Sequence, residues 1–191
     1  MRPILRTERL ELRPMRTEHL PLLHTLDSDP EVMRYLTGHA RSAEEIDAFW
    51  GPRCADTTLD HRGLGWWVGF AGAQFVGWWD LGRSARPPES VPARDRAEIG
   101  WRVRRTEWGR GYATEGARAL LRHGFATARL STVRAETMAV NTRSRRVTTK
   151  IGMQHVAPDH RVWDDPLPGA HLGEVVYEIS AEQWKATQAV G

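Results

Sequence analysis

Apolar and polar residues alternate over Arg9–Pro14, with Leu10 and Leu12 facing one way and Glu11 and Arg13 the other. That is the pattern of a half-buried strand. Helical spacing takes over at Leu20, Leu23 and Leu26, and resumes at Val32 and Leu36 behind the start signal Asp29-Pro30. Ser42-Ala-Glu-Glu45 is a capping box that opens a short helix through Ile46 and Phe49. Gly65–Phe70 and Gln74–Leu81 predict two strands around the turn Ala71-Gly72-Ala73. Arg83–Arg96 holds Pro87, Pro88 and Pro92 without an apolar period and predicts a mobile loop, after which Ala97–Val103 returns to strand. The clearest signal is one 3.6-residue stripe through Ala113, Ala117, Leu120, Leu121, Gly124, Phe125 and Ala128, a long amphipathic helix. Val133–Met138 then predicts a strand, Thr142–Ile151 a helix closed by Gly152, and Glu174–Ile179 a last strand before a second capping box, Ser180-Ala-Glu-Gln183. The order β-α-α-α-β-β-β-α-β-α-β-β predicts an α/β domain around a mixed sheet.

The chain's 191 residues suit one domain over 1–191, at about 100–200 residues per domain. No apolar run approaches the ~18–20 residues that span a bilayer, and the first residues lack the apolar stretch of a signal peptide. The single cysteine, Cys54, makes no internal disulfide and fits a reducing compartment, so the expectation is a soluble cytoplasmic protein without a membrane partner. The net charge of +3 hides an asymmetry. Residues 101–150 carry eleven Arg and one Lys against Glu107, Glu115 and Glu136, a net of +9, while the remainder carries −6. Such an excess points to an anionic partner or, equally, to a solvated face in a chain that prefers Arg to Lys.

Arg104-Arg-Thr-Glu-Trp-Gly-Arg-Gly-Tyr-Ala-Thr-Glu-Gly116 joins a strand to the start of the long helix. Gly109 and Gly111 allow positive φ and close backbone approach, and Ala113 leaves the path open. The first N–H groups of a helix are unpaired and its dipole is positive there, which suits a pyrophosphate; Arg104, Arg105 and Arg110 would add charge. A glycine-rich turn with no ligand is the other reading. A P-loop is excluded because Tyr112 follows Gly111 where Lys is required. A dinucleotide fingerprint is excluded because Thr114 stands where its third glycine would be.

The same stretch resembles the acyl-CoA loop of the GNAT superfamily of N-acetyltransferases, Q/R-x-x-G-x-G/A, along Trp108-Gly-Arg-Gly111-Tyr-Ala113, with Trp108 departing from the first position. With that departure, Trp-Gly-Arg-Gly-Tyr-Ala-Thr-Glu is similar to the RimJ/RimL-like branch, which acetylates N-terminal amines of ribosomal proteins and small amines. Arg6-Thr-Glu-Arg-Leu-Glu-Leu-Arg13, Ala97-Glu-Ile-Gly-Trp101 and Asn141-x-x-Ser144-x-x-Val147-x-x-Lys150-Ile-Gly-Met153 agree in the family's order. The resemblance implies a splayed mixed sheet with acetyl-CoA as co-substrate in the V between central strands, and an amine acceptor, either a peptide N-terminus or a small molecule. It implies that Val103 binds pantetheine and that Trp101 aims its N–H at the acetyl carbonyl, although an unbulged strand would make both ordinary ladder residues. Arg110, Gly111, Ala113 and Thr114, with Gly109 and Tyr112 completing the turn, would hold the pyrophosphate, and Asn141 would contact pantetheine or cap the next helix.

Transfer needs a neutral amine, and an alkyl amine with pKa near ~10 is mostly protonated at pH 7. A carboxylate must accept that proton. Glu98 is the first candidate for this base and Glu136 the second. The departing thiolate needs a proton or hydrogen bond, which many relatives supply from a tyrosine; Thr148 fills that place here, so Ser144 is the expected donor. His155 and His160 do not share a helical face and make no metal site. Trp66-Trp67 and Trp78-Trp79 each send one ring to either sheet face, half to core and half to a pocket wall. Cys54 reads as a small buried residue rather than a nucleophile. The acidic segment Pro158–Gly169, with Asp159, Asp164 and Asp165, is expected near the amine entrance, under the loop Arg83–Arg96. A nucleic-acid-binding protein using residues 101–150 and a silent CoA-binding domain are the alternatives. The first is disfavoured because the charge surrounds a phosphate-sized loop. A homodimer is compatible with any of these readings.

Overall fold

The structure, a computed structural model, describes residues 1–83, 95–159 and 167–189. Eight strands form one sheet in the order β1-β2-β3-β4-β5-β6-β8-β7. They are β1 (Leu5–Arg6), β2 (Glu11–Pro14), β3 (Gly65–Ala71), β4 (Gln74–Gly82), β5 (Arg96–Val103), β6 (Thr132–Met138), β7 (Gln154–Asp159) and β8 (Glu174–Ser180). All neighbours run antiparallel except β5 and β6. The mixed α/β sheet agrees with the sequence pattern, with three differences. Thr7–Leu10 forms a tight turn, Thr7 N–H to Leu10 O at 2.9 Å and Leu10 N–H to Thr7 Oγ1 at 2.8 Å, so the strand expected over Arg9–Pro14 shortens to β2 and an unexpected two-residue β1 pairs with it. A closing helix, absent from the expected order of elements, follows the expected capping box at Ser180, where Gln183 N–H donates to Ser180 Oγ at 3.1 Å. Arg96 belongs to β5, while 84–94 of the expected loop lie outside the described residues, as do Asp164 and Asp165.

Helices α1 (Leu20–Asp27), α2 (Pro30–Met33) and α3 (Ala43–Ala55) cover one face of the sheet. Ser42 Oγ accepts from Glu45 N–H at 3.2 Å while Glu45 Oε2 accepts from Ser42 N–H at 2.7 Å, the capping box in both directions. The helix outruns its expected end at Phe49 because Ile46, Trp50 and Cys54 continue a buried stripe at four-residue spacing, even through Pro52. Helices α4 (Tyr112–Ala126), α5 (Thr142–Lys150) and α6 (Ala181–Ala189) cover the other face. Leu120 and Leu121 of α4 are fully buried against the sheet, worth about 1.5–3 kcal/mol each. Each Trp pair splits as the alternation requires: Trp67 and Trp79 enter the core under α4, Trp66 and Trp78 the cluster under α3.

The central strands part company. β5 and β6 pair only through Arg96↔Thr132, Ala97↔Val133 and Glu98↔Arg134. Beyond Glu98, β5 stays with β4 as far as Val103↔Gly77, and β6 stays with β8 as far as Met138↔Glu174. A wedge therefore opens from Ile99 toward the start of α4.

Candidate active site

β5 keeps unbroken register with β4 from Glu98 to Val103, so it carries no bulge. Trp101 and Val103 are accordingly ladder partners of Trp79 and Gly77. Their N–H groups nonetheless face the wedge. Arg104 N–H donates to Val76 O on β4 at 2.9 Å, and successive N–H groups along a strand point to opposite edges. The open edge thus comes from divergence of β6 rather than from a bulge.

The turn after β5 is built for close approach. Gly109 and Gly111 have φ of +79° and +85°, and a Cβ on Gly109 would meet nothing within 4 Å. Gly111 caps α4 with no side-chain hydrogen bond. Among the described residues no acceptor meets the N–H groups of residues 109–114, while Glu115 N–H is taken by Gly111 O at 3.0 Å. These N–H groups lie at a positive helix end, which suits an anion, and it is here that the sequence led us to expect a pyrophosphate held by Gly109, Arg110, Gly111, Tyr112, Ala113 and Thr114. The arginine side chains spread out. Arg110 pairs with Glu107 at 3.3 Å, Arg105 with Asp29 at 3.5 Å, and Arg104 donates to Phe75 O at 3.3 Å.

Two supports of this turn escaped the sequence pattern. Trp108 Nε1 donates to Val103 O at 2.8 Å, and the Arg143 guanidinium lies 4.4 Å from its ring centroid. The residue that departs from the family motif therefore ties the loop to the strand. The second support comes from the N-terminal turn. Glu115 Oε1 accepts from Thr7 Oγ1 at 2.6 Å and from Arg9 N–H at 2.9 Å, and Glu115 Oε2 from Arg9 Nε at 2.7 Å. Arg9 also donates to Arg110 O at 3.0 Å and lies 4.8 Å from the Tyr112 ring centroid. Burial raises the Glu115 carboxyl, but the hydrogen bonds from Thr7 and Arg9 outweigh it and hold the group below the usual carboxylate range. The acid at this helix end is thereby kept ionised and neutralised by Arg9.

Asn141 caps α5, its Oδ1 accepting from Ser144 N–H at 3.2 Å. Among the described residues no partner meets the half-buried Ser144 hydroxyl. Thr148, at the position of the relatives' tyrosine, is buried and donates back to Arg145 O at 2.7 Å, so it offers nothing to a thiolate. Glu98 and Glu136 both lie on the α1–α3 side of the sheet, opposite the α4 core that takes Ala97, Ile99 and Val133. Glu136 Oε2 is held by Arg134 at 3.0 Å. Burial pushes the Cys54 thiol up to about 11, which removes it as a nucleophile. The sequence pattern missed Asp80. It sits on β4 beside Gly100, where its Oδ1 fills the space a Cβ would need.

A sheet that opens between two central strands thus stands above a helix start whose N–H groups are free to meet an anion. Residues 9–154 match the Acetyltransferase (GNAT) domain, and the chain belongs to that family. It is an acetyl-CoA-dependent N-acetyltransferase. The chain is 41% identical over 192 residues to the FsC-acetyl coenzyme A-N(2)-transacetylase of Aspergillus fumigatus, covering 97% of this chain and 80% of that one. Its fold is similar to that of a GNAT-family acetyltransferase from Bacillus anthracis, with 24% identity and a TM-score of 0.74 over 94% of this chain and 99% of the other. It is also similar in fold to RimL, a ribosomal L7/L12 alpha-N-protein acetyltransferase solved with coenzyme A, with 18% identity, a TM-score of 0.74 and coverage of 93% and 98%. Among the described residues no helix is long and apolar enough to cross a membrane.

Proposed function

We propose that the enzyme moves the acetyl group directly to a primary amine in a ternary complex, with acetyl-CoA laid along β5. The observation that carries this reading is the wedge: the N–H groups of Trp101 and Val103 face it, and it leads to the free donors of residues 109–114. Those donors hold the pyrophosphate. Val103 holds pantetheine, and Trp101 N–H stabilises the oxyanion as the carbonyl is attacked. Asn141 keeps α5 in place so that the Ser144 hydroxyl donates to the departing sulfur. Glu98 takes the amine's proton, and Glu136, held by Arg134, is the weaker candidate.

An N(2) acceptor in the Aspergillus relative's name supports an amine as the acceptor class. The run Trp108–Glu115 supports a RimJ/RimL-like enzyme, the lone buried Cys54 a reducing compartment such as the cytoplasm, and the glycine turn within the Arg-rich segment favours CoA phosphates over nucleic acid.

Thiol release across a panel of amines tests the activity. Glu98→Gln is expected to lower kcat about 10–1000-fold while acetyl-CoA KM stays near wild type, with the deficit shrinking at high pH, where the amine is already neutral. If Glu136→Gln behaves this way and Glu98→Gln does not, the base is Glu136.

A further inference from the structure

On the α1–α3 face of the sheet, a cavity of about 290 Å³ is walled by Leu59, Leu64, Trp66, Asp56, Arg2 and Asp80. Its charges are unequally engaged. Arg2 is bound to Asp60 at 2.6 Å and to Trp66 O at 2.9 Å, whereas among the described residues no donor meets the Asp80 carboxylate. The residue is half-buried, open to the cavity and otherwise walled by protein. Asp80 pairs across the strands with Gly100, and Gly82 pairs with Glu98, so Asp80 and Glu98 are diagonal neighbours on one face. They stand where β5 leaves β6. Only glycine at position 100 leaves room for the Asp80 carboxylate. Nearby, the Trp78 indole N–H and Arg102 Nε are buried without a partner.

We propose that Asp80 is a second catalytic carboxylate, acting with Glu98 to receive the proton of an incoming alkylammonium ion. This rests on the reading of Glu98 and the wedge given above. The pair has the required property: burial, and then the neighbouring Glu98, push the Asp80 carboxyl well above the ordinary range, which makes it a stronger proton acceptor than an exposed aspartate. The other charges facing the pair are Arg102, itself held by Asp27 of α1, then Asp56, Arg2 and Arg83 at the cavity wall, Arg96 two residues before Glu98 on β5, and Arg134 of β6 opposite Glu98. An entering cation is balanced by the pair. One ammonium proton moves to a carboxylate, and the amine lone pair attacks the thioester carbon. The C–S bond then breaks, and the amine's second proton ends on the thiolate, giving amide and thiol. The carboxylic acid returns its proton to water.

The test compares lysinamide, a dipeptide amide and a diamine, all alkylammonium ions at pH 7, with benzyloxyamine, which is neutral there. Asp80→Asn is expected to lower kcat/KM for the best alkylammonium probe about 10–100-fold, with a loss at least tenfold smaller for benzyloxyamine. Calorimetry with acetyl-CoA reports whether the variant is folded; should Asp80→Asn not fold, Asp80→Ala, which fits within the cavity, replaces it. Equal losses for both classes of amine, or none for either, overturn the proposal. A selective loss in Glu98→Gln without one in Asp80→Asn overturns it alone. No selective loss in either variant, or no transfer by the wild type to any probe, overturns the reading of this face and the proposal with it.

Discussion

Gly116→Ala pits two effects of known size against each other. Glycine in a helix interior costs about 1 kcal/mol relative to alanine, so propensity alone makes the substitution stabilising. The structure opposes this. A Cβ at Gly116 would lie 2.5 Å from Trp79 Nε1 and 2.9 Å from Cζ2. That indole cannot swing away, since Trp79 is fully buried in mid-sheet and its Nε1 lies 3.3 Å from Ala113 O. Overpacking of this kind costs about 1–3 kcal/mol, so the clash wins and the net loss is about 1 kcal/mol or slightly more. For a domain of this size that lowers Tm by about 2–4 °C per kcal/mol. Relief comes by lifting α4 from the sheet by about 1 Å, which carries the cradle of residues 109–114 with it and raises acetyl-CoA KM more than it changes kcat. Gly124→Ala on the same helix is the comparison, because its Cβ would meet Leu81 Cδ2 at 3.0 Å and Leu130 Cδ1 at 3.1 Å, longer contacts with leucine ends that need to shift far less than the Trp79 ring. Thermal melting with steady-state kinetics checks both. A Gly116→Ala enzyme as stable as Gly124→Ala, with unchanged acetyl-CoA KM, would refute the reasoning.

Gly111→Glu puts a side chain at φ +85° and a negative charge at the start of α4, and is expected to abolish acetyl-CoA binding by calorimetry while the far-ultraviolet spectrum stays that of the wild type. Asn141→Ala removes the α5 cap and is expected to cost about 1 kcal/mol in denaturant melts. Asp80→Asn is expected to stabilise the fold in a pH-dependent way. Folding raises that carboxyl above the 3.8 of an ordinary aspartate, so the native wild type binds the proton more tightly than the unfolded chain does. Its contribution is best below that value and is lost as pH rises through the folded pKa. The variant's advantage in denaturant melts should therefore widen from about pH 4 upward and then level off. An advantage that does not vary with pH would contradict the burial of this charge.

The long helix and its glycine turn were readable in advance because their signals are local: a seven-position apolar stripe, two glycines and a helix start lie within twenty residues. The pairing of Asn141 with Ser144 was equally local. Asp80 was invisible because its environment is set by β5, Gly100 and the end of α3 rather than by its neighbours Trp79 and Leu81. Alternation marks which face a strand residue takes, but not whether that face meets a cation, water or a cavity. The tie between Arg9 and Glu115 spans 106 positions, beyond the reach of any periodicity. Trp108 looked like a departure from a motif, and only the geometry of Val103 O gave it a task. The acidic pair Asp164 and Asp165, expected at the amine entrance, lies outside the described residues.

The bond between Thr7 and Glu115 joins residues 108 positions apart, and this sets an order of events during folding. Closing so long a loop is entropically costly, so the stripe of α4 docks on the sheet before its first turn receives its brace. Competence to hold the acyl carrier then arrives late, as a property of the finished chain rather than of the helix that supplies the donors. The coupling runs in both directions. With acetyl-CoA at the turn of residues 109–114, as proposed, saturating cofactor is expected to slow amide hydrogen exchange at Thr7–Leu10, a segment beside that turn but outside the wedge itself.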